Sequence, residues 1–342
     1  MKQKRIEQDL KNFRREGGLS MRPQMALVAL LVMVGVCLVP IGAEAAEYPA
    51  REIEFIAGYA PGSNTDNFAR LASKYGEKYV GKPIVVLNKP PAARGFAALA
   101  GAKPDGYTIG IISNSTIGQY YLLKGVTFHY RRSYRVICQI DYSAEGLYVR
   151  KGGPFDVPLK ELVRKAKEKP DTIKVGIGGA WTAQDFTRAI FEEEAGVKFI
   201  RIIYPGAAEA IPNLLGGHVD VEFGPASEWA SLYKAGKVNV LGVSTEQRDP
   251  RFPNIPTFRE QGFDVVMSAI HWIAAPAGTP DAIIHFLAEA FRKGFSEQGF
   301  KDAADSLGAT GAWEGPEESL KGMDRLDELI RRVVKKYNLE PQ

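Results

Sequence analysis

Apolar positions along the chain fall into short continuous runs, separated by longer stretches in which they recur every three or four residues. Glu52–Tyr59 (EIEFIAGY) is such a run and predicts a strand. Phe68, Leu71, Ala72 and Tyr75 then share the spacing of one helical face. Pro83–Leu87 and Thr108–Ile112 predict two further strands, with a small-residue helix over Ala97–Ala102 between them. Leu159–Lys169 reads as helix, Ile173–Ile177 as strand, and Ala183–Ala195 as a helix closed by Gly196, a residue suited to the left-handed turn after a helix. Phe199–Ile203 predicts a strand and Ala207–Leu215 a helix ending at Gly216-Gly217. Val219–Phe223, Trp229–Ala235 and Val238–Val243 continue the alternation, and two long helices, Pro280–Gly294 and Glu317–Tyr337, close the chain. Strands alternating with helices imply an α/β architecture with mostly parallel sheets.

Two stretches interrupt this rhythm. Asp141–Val149 and Val265–Ala275 are extended, and each is followed or ended by a Gly/Pro-rich loop. Two chain crossings there give a two-lobed molecule, residues 46–145 plus 270–342 in one lobe and 146–269 in the other. A cleft between lobes is a favoured ligand site.

The segment before this body is an address. Met25–Ile41 (MALVALLVMVGVCLVPI) carries no charge and is short for a membrane span. Arg22 and six further basic residues precede it, and Ala43-Glu44-Ala45 follows. This is the three-part pattern of a secretory signal cleaved after Ala45, an uncleaved anchor being the alternative. Met21–Ala45 is a complete signal in itself, so residues 1–20 are either an extended leader or untranslated. Cleavage removes Cys37 and leaves Cys138, read as a buried strand thiol within Val136–Ile140. The formal charge of +4 comes mostly from the leader: residues 1–45 hold seven Lys/Arg and four Asp/Glu, leaving 37 and 36 in the remainder. Such balance gives no footing for nucleic acid.

Catalytic signatures fail one by one. Gly76–Lys82 matches most of a phosphate-binding loop, but Pro83 replaces the Ser or Thr that holds magnesium. Gly176-Ile177-Gly178-Gly179-Ala180-Trp181 begins like a dinucleotide fingerprint, and Trp181 blocks its last glycine position. Histidines 129, 218, 271 and 285 are far apart, no Cys/His cluster exists, and His218 reads as a helix-end cap. No cofactor and no metal are expected. What remains are strand–loop–helix junctions whose amides can hold an anion: Tyr59, Ala60, Gly62, Ser63, Asn64 and Asp66 in the first; Gly178, Gly179, Trp181 and Thr182 in the second; Tyr204, Pro205, Gly206 and Ala207 in the third. Ser113, Asn114, Ser115 and Thr116 add hydroxyl and amide donors after the third strand. Helix N-termini carry partial positive charge and unfilled N–H groups, which suits a carboxylate. Asp66 would repel such a ligand and reads as a structural cap instead.

Six motifs in order resemble the extracytoplasmic receptors of tripartite tricarboxylate transporters, the Bug/TctC type. They are Tyr48–Ile53 with Ala60–Asp66, Asn88-Lys89-Pro90, Lys103–Thr108, Gly216–Asp220, Arg248 with Pro253–Phe258 and Glu260-Gln261-Gly262, and Ala275–Pro280. The resemblance spans almost all of residues 47–340. It implies a Venus-flytrap fold of periplasmic-binding-protein type, no catalysis, capture of a small carboxylate and delivery to two membrane permease subunits, by a monomer in the periplasm. The chain departs from the family pattern at Pro91–Gly95, at Trp181, where glycine is common, and at Asp185, where histidine is common. Trp181 either offers a flat apolar face to the ligand or fills the pocket. The rival readings are a binding-only sensor and an exported hydrolase of carboxylate esters using Ser115.

Overall fold

A computed structural model of the chain describes residues 48–341. The expected signal sequence, Cys37 and the expected cleavage position after Ala45 lie outside the described residues. In the first half of the body, β1 (Ile53–Ala57), α1 (Asn64–Val80), β2 (Ile84–Asn88), α2 (Ala92–Ala100) and β3 (Thr108–Ser113) form a parallel unit with β1 between β2 and β3. After β3 come α3 (Asn114–Leu122), β4 (Tyr134–Arg150) and α4 (Leu159–Glu168). A second parallel unit repeats the plan: β5 (Lys174–Ile177), α5 (Ala183–Ala195), β6 (Ile200–Ile203), α6 (Ala207–Gly216) and β7 (Val221–Pro225), with β5 between β6 and β7. In each unit the first strand is central and the chain leaves it in both directions in turn. Such a switch point opens a crevice at the carboxyl ends of the strands.

The remaining elements are α7 (Ala226–Lys234), β8 (Val238–Val243), β9 (Ser268–Pro276), α8 (Asp281–Ser296), α9 (Gln298–Ser306), β10 (Thr310–Glu314) and α10 (Pro316–Lys336). The 17-residue β4 joins the two units. Its first part, Tyr134–Ala144, pairs antiparallel with β9, and β10 lies along the same part. Its last part, Glu145–Arg150, pairs antiparallel with β7 and β8. Strand β9 returns beside β3, also antiparallel. The sheets are therefore mixed rather than mostly parallel, which corrects the expectation from the alternating pattern. The helical crossovers make their strands parallel, but β4 and β9 reach the sheets without such a crossover between them and their neighbours.

One apolar cluster lies under the first unit, built on Phe55, Phe68, Ile111, Cys138, Ile273 and Phe291. A smaller one around Tyr148, Trp229 and Val240 backs β8. A third runs through both halves, from Phe96 and Trp272 to Phe186, Phe191 and Phe223, and takes in Met323, Ile330 and Val333 of α10. Cys138 is fully buried, and burial pushes its thiol far above the ordinary range, so it is inert.

Candidate functional site

Five strand-to-helix junctions open onto one cavity. The residues capping α1, α3, α5, α6 and α7 at their N-termini are Ser63, Ser113, Thr182, Gly206 and Pro225, and all five line it. Its free volume is about 50 Å³. At roughly 10–15 Å³ for each water-sized occupant, that suits a compact ligand. An adjoining groove of about 360 Å³ shares Asn64, Ala207 and Glu228 with the cavity and leads outward past Gly62 and Asn67.

The caps follow from sequence. Ser63 is extended, and its Oγ accepts from the Asp66 amide at 3.2 Å. The Ser113 amide donates to Thr116 Oγ1 at 3.2 Å, so Ser113–Thr116, expected to be a donor-rich loop, begins α3 instead. Residues that favour turns also favour helix starts, for the same hydrogen-bonding reason. The caps of α5, α6 and α7 supply no side-chain acceptor to their helices, so donors at those ends remain for a ligand. Gly178 permits the close approach: a Cβ there would lie 2.8 Å from Gln184 Nε2 and 3.1 Å from the Ala207 amide nitrogen. Across the cavity, Tyr59 packs toward Gly179 and Ser63 toward Gly206.

Of the residues singled out in the sequence, Tyr59, Ser63, Asn64, Ser113, Asn114, Gly178, Thr182, Gly206 and Ala207 come together on the cavity wall. Ser115 sits behind it, accepting from the Tyr59 hydroxyl at 2.8 Å and sharing a 2.7 Å hydrogen bond with Ser113. Burial raises Tyr59 to about 12, so it stays a neutral donor. Asn114 ties the wall to β9, donating to Ser268 O at 2.9 Å and accepting from the Ile270 amide at 2.8 Å. Thr182 donates back to Gly179 O at 3.1 Å.

The other candidates do not reach the wall. Asp66 accepts from the Gly62 amide, Arg70 and Asn88 at 2.8, 3.0 and 2.8 Å. Burial works to raise its pKa, but these bonds hold it below the usual carboxylate range. Trp181 is buried with φ at 55°, packed against Phe186 and stacked with Arg201. Asp185 explains that turn: it accepts from the Trp181 amide at 2.8 Å and pairs with Arg188 and Arg201. Ala60, Gly62, Thr116, Gly179, Tyr204 and Pro205 also lie off the cavity, Gly62 lining only the groove.

Nine lining residues escaped the sequence reading. Thr65, Ala183 and Gln184 directly follow caps already singled out. Pro225 and Glu228 belong to a fifth junction, signalled by Gly224-Pro225 after an apolar run. Ala269, Ile270 and His271 of β9 and Glu145 of β4 had no local signal; the sheet pairing alone brings them there. His271 Nδ1 meets Asp141 Oδ1 at 2.9 Å, and its Nε2 lies 3.3 Å from Thr65 Oγ1.

No Lys or Arg lines the cavity wall among the described residues, while Glu145 and Glu228 do. Burial raises Glu228 to about 8. Burial, then the nearby Glu228 charge, raises Glu145 well above the ordinary range. Glu228 is thus mainly protonated at neutral pH, and the upward shift of Glu145 likewise disfavours its charged form, which lessens repulsion of an anion. No group of His, Cys, Asp or Glu among the described residues is arranged to hold a metal ion.

A two-lobed α/β body with a compact cavity ringed by helix N-termini is the architecture of periplasmic solute-binding proteins. The structure of the periplasmic binding protein BugD superposes with a TM-score of 0.82 at 26% identity, covering 86% of this chain and all of that one. A TctC solute-binding protein from Polaromonas gives a TM-score of 0.64 at 30% identity over 84% of this chain and 99% of its own. In sequence, the "UPF0065 protein in gbd 5'region" of Cupriavidus necator is 29% identical over 282 residues, 81% of this chain and 84% of that protein. The family described as "Tripartite tricarboxylate transporter family receptor" matches residues 68–314, and the chain belongs to that family.

Proposed function

We propose that this protein captures a small organic carboxylate in the cavity and delivers it to the two membrane subunits of a tripartite transporter. It acts as an exported monomer and does no chemistry on its ligand. The observation that carries this reading is the convergence of five helix N-termini, with neutral hydroxyl and amide donors, on a wall free of Lys and Arg. Such ends satisfy a carboxylate with backbone N–H groups and the positive end of the helix dipole. Residues 46–145 with 270–342 form one lobe and 146–269 the other, and the ligand bridges them. Contacts made to both lobes only in the closed state are what shift the equilibrium toward closure.

Thermal unfolding and small-angle scattering against a panel of short mono-, di- and tricarboxylates test this. A ligand at 100 times its Kd adds about 2.7 kcal/mol of stability, a shift of several degrees, and contracts the radius of gyration. Absence of both responses across the panel overturns the capture role.

A further inference from the structure

Among the described residues, the lining side chains hold three buried polar atoms without a hydrogen-bond partner: Asn64 Oδ1, Glu145 Oε2 and Gln184 Oε1. The amide oxygens of Asn64 and Gln184 are acceptors, and Glu145 Oε2 becomes one when its carboxyl ionises. Buried polar groups are ordinarily satisfied, so an excess of one kind describes what the missing partner offers. Two of the three lie near Glu228. A Cβ built on Gly224 would sit 2.3 Å from Glu228 Oε2, 3.1 Å from the Tyr148 hydroxyl and 3.2 Å from Gln184 Oε1, so these oxygens converge. Glu145 lines the same cavity, close enough for the Glu228 charge to act on it, and supplies a second carboxyl. Glu145 and Gln184 are more than nine-tenths buried, and Glu228 is partly buried at the mouth between cavity and groove.

We propose that Glu145, Gln184 and Glu228 form a second subsite for an ammonium group, so that the protein selects acids that also carry a primary amine. This rests on the carboxylate-capture reading above. An ammonium has three N–H donors and no acceptor, which matches three acceptor groups and no protein cation among the residues lining the cavity. The helix N-termini of α1, α3, α5 and α6 take the carboxylate and the acidic wall takes the nitrogen. The groups facing this wall are Glu145 and Tyr148 on β4, Glu222 on β7, Glu228 on α7, His271 on β9 and Tyr59 after β1. Before binding, Glu228 holds its proton near neutral pH, and burial raises Glu145 and Glu222 well above the ordinary carboxylate range. An incoming ammonium keeps its three hydrogens and displaces one proton from the glutamate pair to solvent, leaving an ammonium–carboxylate pair.

The experiment is calorimetric titration of the full chain at pH 7 with matched pairs: 4-aminobutyrate and butyrate, aspartate and succinate, glutamate and glutarate. In at least one pair the amino acid binds about tenfold more tightly or better, the ratio that a charge-assisted hydrogen bond gives. Its binding heat differs between phosphate and Tris buffers, reporting the released proton. Glu228→Gln, with Glu145→Gln as the second variant, brings the ratio within about threefold. Desamino acids that bind as well as their partners, or a preference undiminished in both variants, overturn the subsite and leave capture standing. Failure of every acid to bind removes the capture reading and the subsite with it.

Discussion

Glu228 holds the third position of α7, partly buried, with the Tyr148 hydroxyl donating to its Oε2 at 3.4 Å. Burial lifts its pKa from 4.5 to about 8. The folded protein therefore holds a proton that the unfolded chain loses as pH rises above 4.5. The sign is fixed by linkage: the stability of the protonated form is complete below about pH 4.5 and is lost as pH climbs through 8. Melting temperature consequently falls between pH 5 and pH 8, and Glu228→Gln, which cannot ionise, reduces that fall by several degrees in a pH series of calorimetric scans. An unchanged slope contradicts the burial argument. Individual residues were legible where function and local chemistry coincide. Ser63, Ser113 and Thr182 are cap residues and Asn64 opens a helix, and helix starts were what the sequence reading sought. Glu145 and His271 were illegible because their neighbours along the chain carry no sign of the cavity. Trp181 was visible as a departure from the family pattern but not in its role: its left-handed φ explains why glycine is common there, and its ring packs into the core.

Helices and parallel strands were legible because their periods are local. Helix α5 spans Ala183–Ala195 and ends at Gly196 with φ 61°, as the spacing and the glycine predict. The long β4 read as two separate runs, and β10 and α9 were not foreseen. A half-exposed five-residue strand such as β10 has too few buried positions to show an alternation. Helix α2 begins at Ala92, five residues ahead of its expected start, and its reason is packing. A Cβ on Gly95 would lie 2.4 Å from Gly58 Cα, so α2 touches the backbone leaving β1. Backbone cannot rotate aside as a side chain does. Gly95→Ala is expected to destabilise by about 1–3 kcal/mol, the range for overpacking, despite alanine's better helix propensity. Chemical denaturation measures it, and a neutral or stabilising result shows that the junction can shift.

At the scale of the molecule, the two halves meet along α3 and the α5 entry. Gln119 Nε2 donates to Ala180 O at 3.1 Å, and a Cβ on Gly118 would lie 2.5 Å from Trp181 O and 2.4 Å from Phe186 Cε2. Gly118→Ala wedges the halves apart without touching the cavity wall. It is expected to weaken carboxylate binding by about tenfold or more, since closure contributes the second set of contacts. The radius of gyration in saturating ligand stays near its ligand-free value. Wild-type affinity in this variant would mean that closure does not depend on this contact. The extended runs at Asp141–Val149 and Val265–Ala275 fall on the antiparallel strands β4 and β9, but the mixed pairing was not legible, because strand direction is set by which neighbour a crossing strand meets.

The ring of helix starts has one more effect, and it concerns the ligand-free protein. Ends bearing about half a positive charge face each other across the gap, costing on the order of a few tenths of a kcal/mol for each opposed pair. An unliganded molecule is thereby sprung ajar by its own backbone. Simple electrolyte screens that recoil, so raising ionic strength should narrow the empty jaws even as it loosens their hold on an anion.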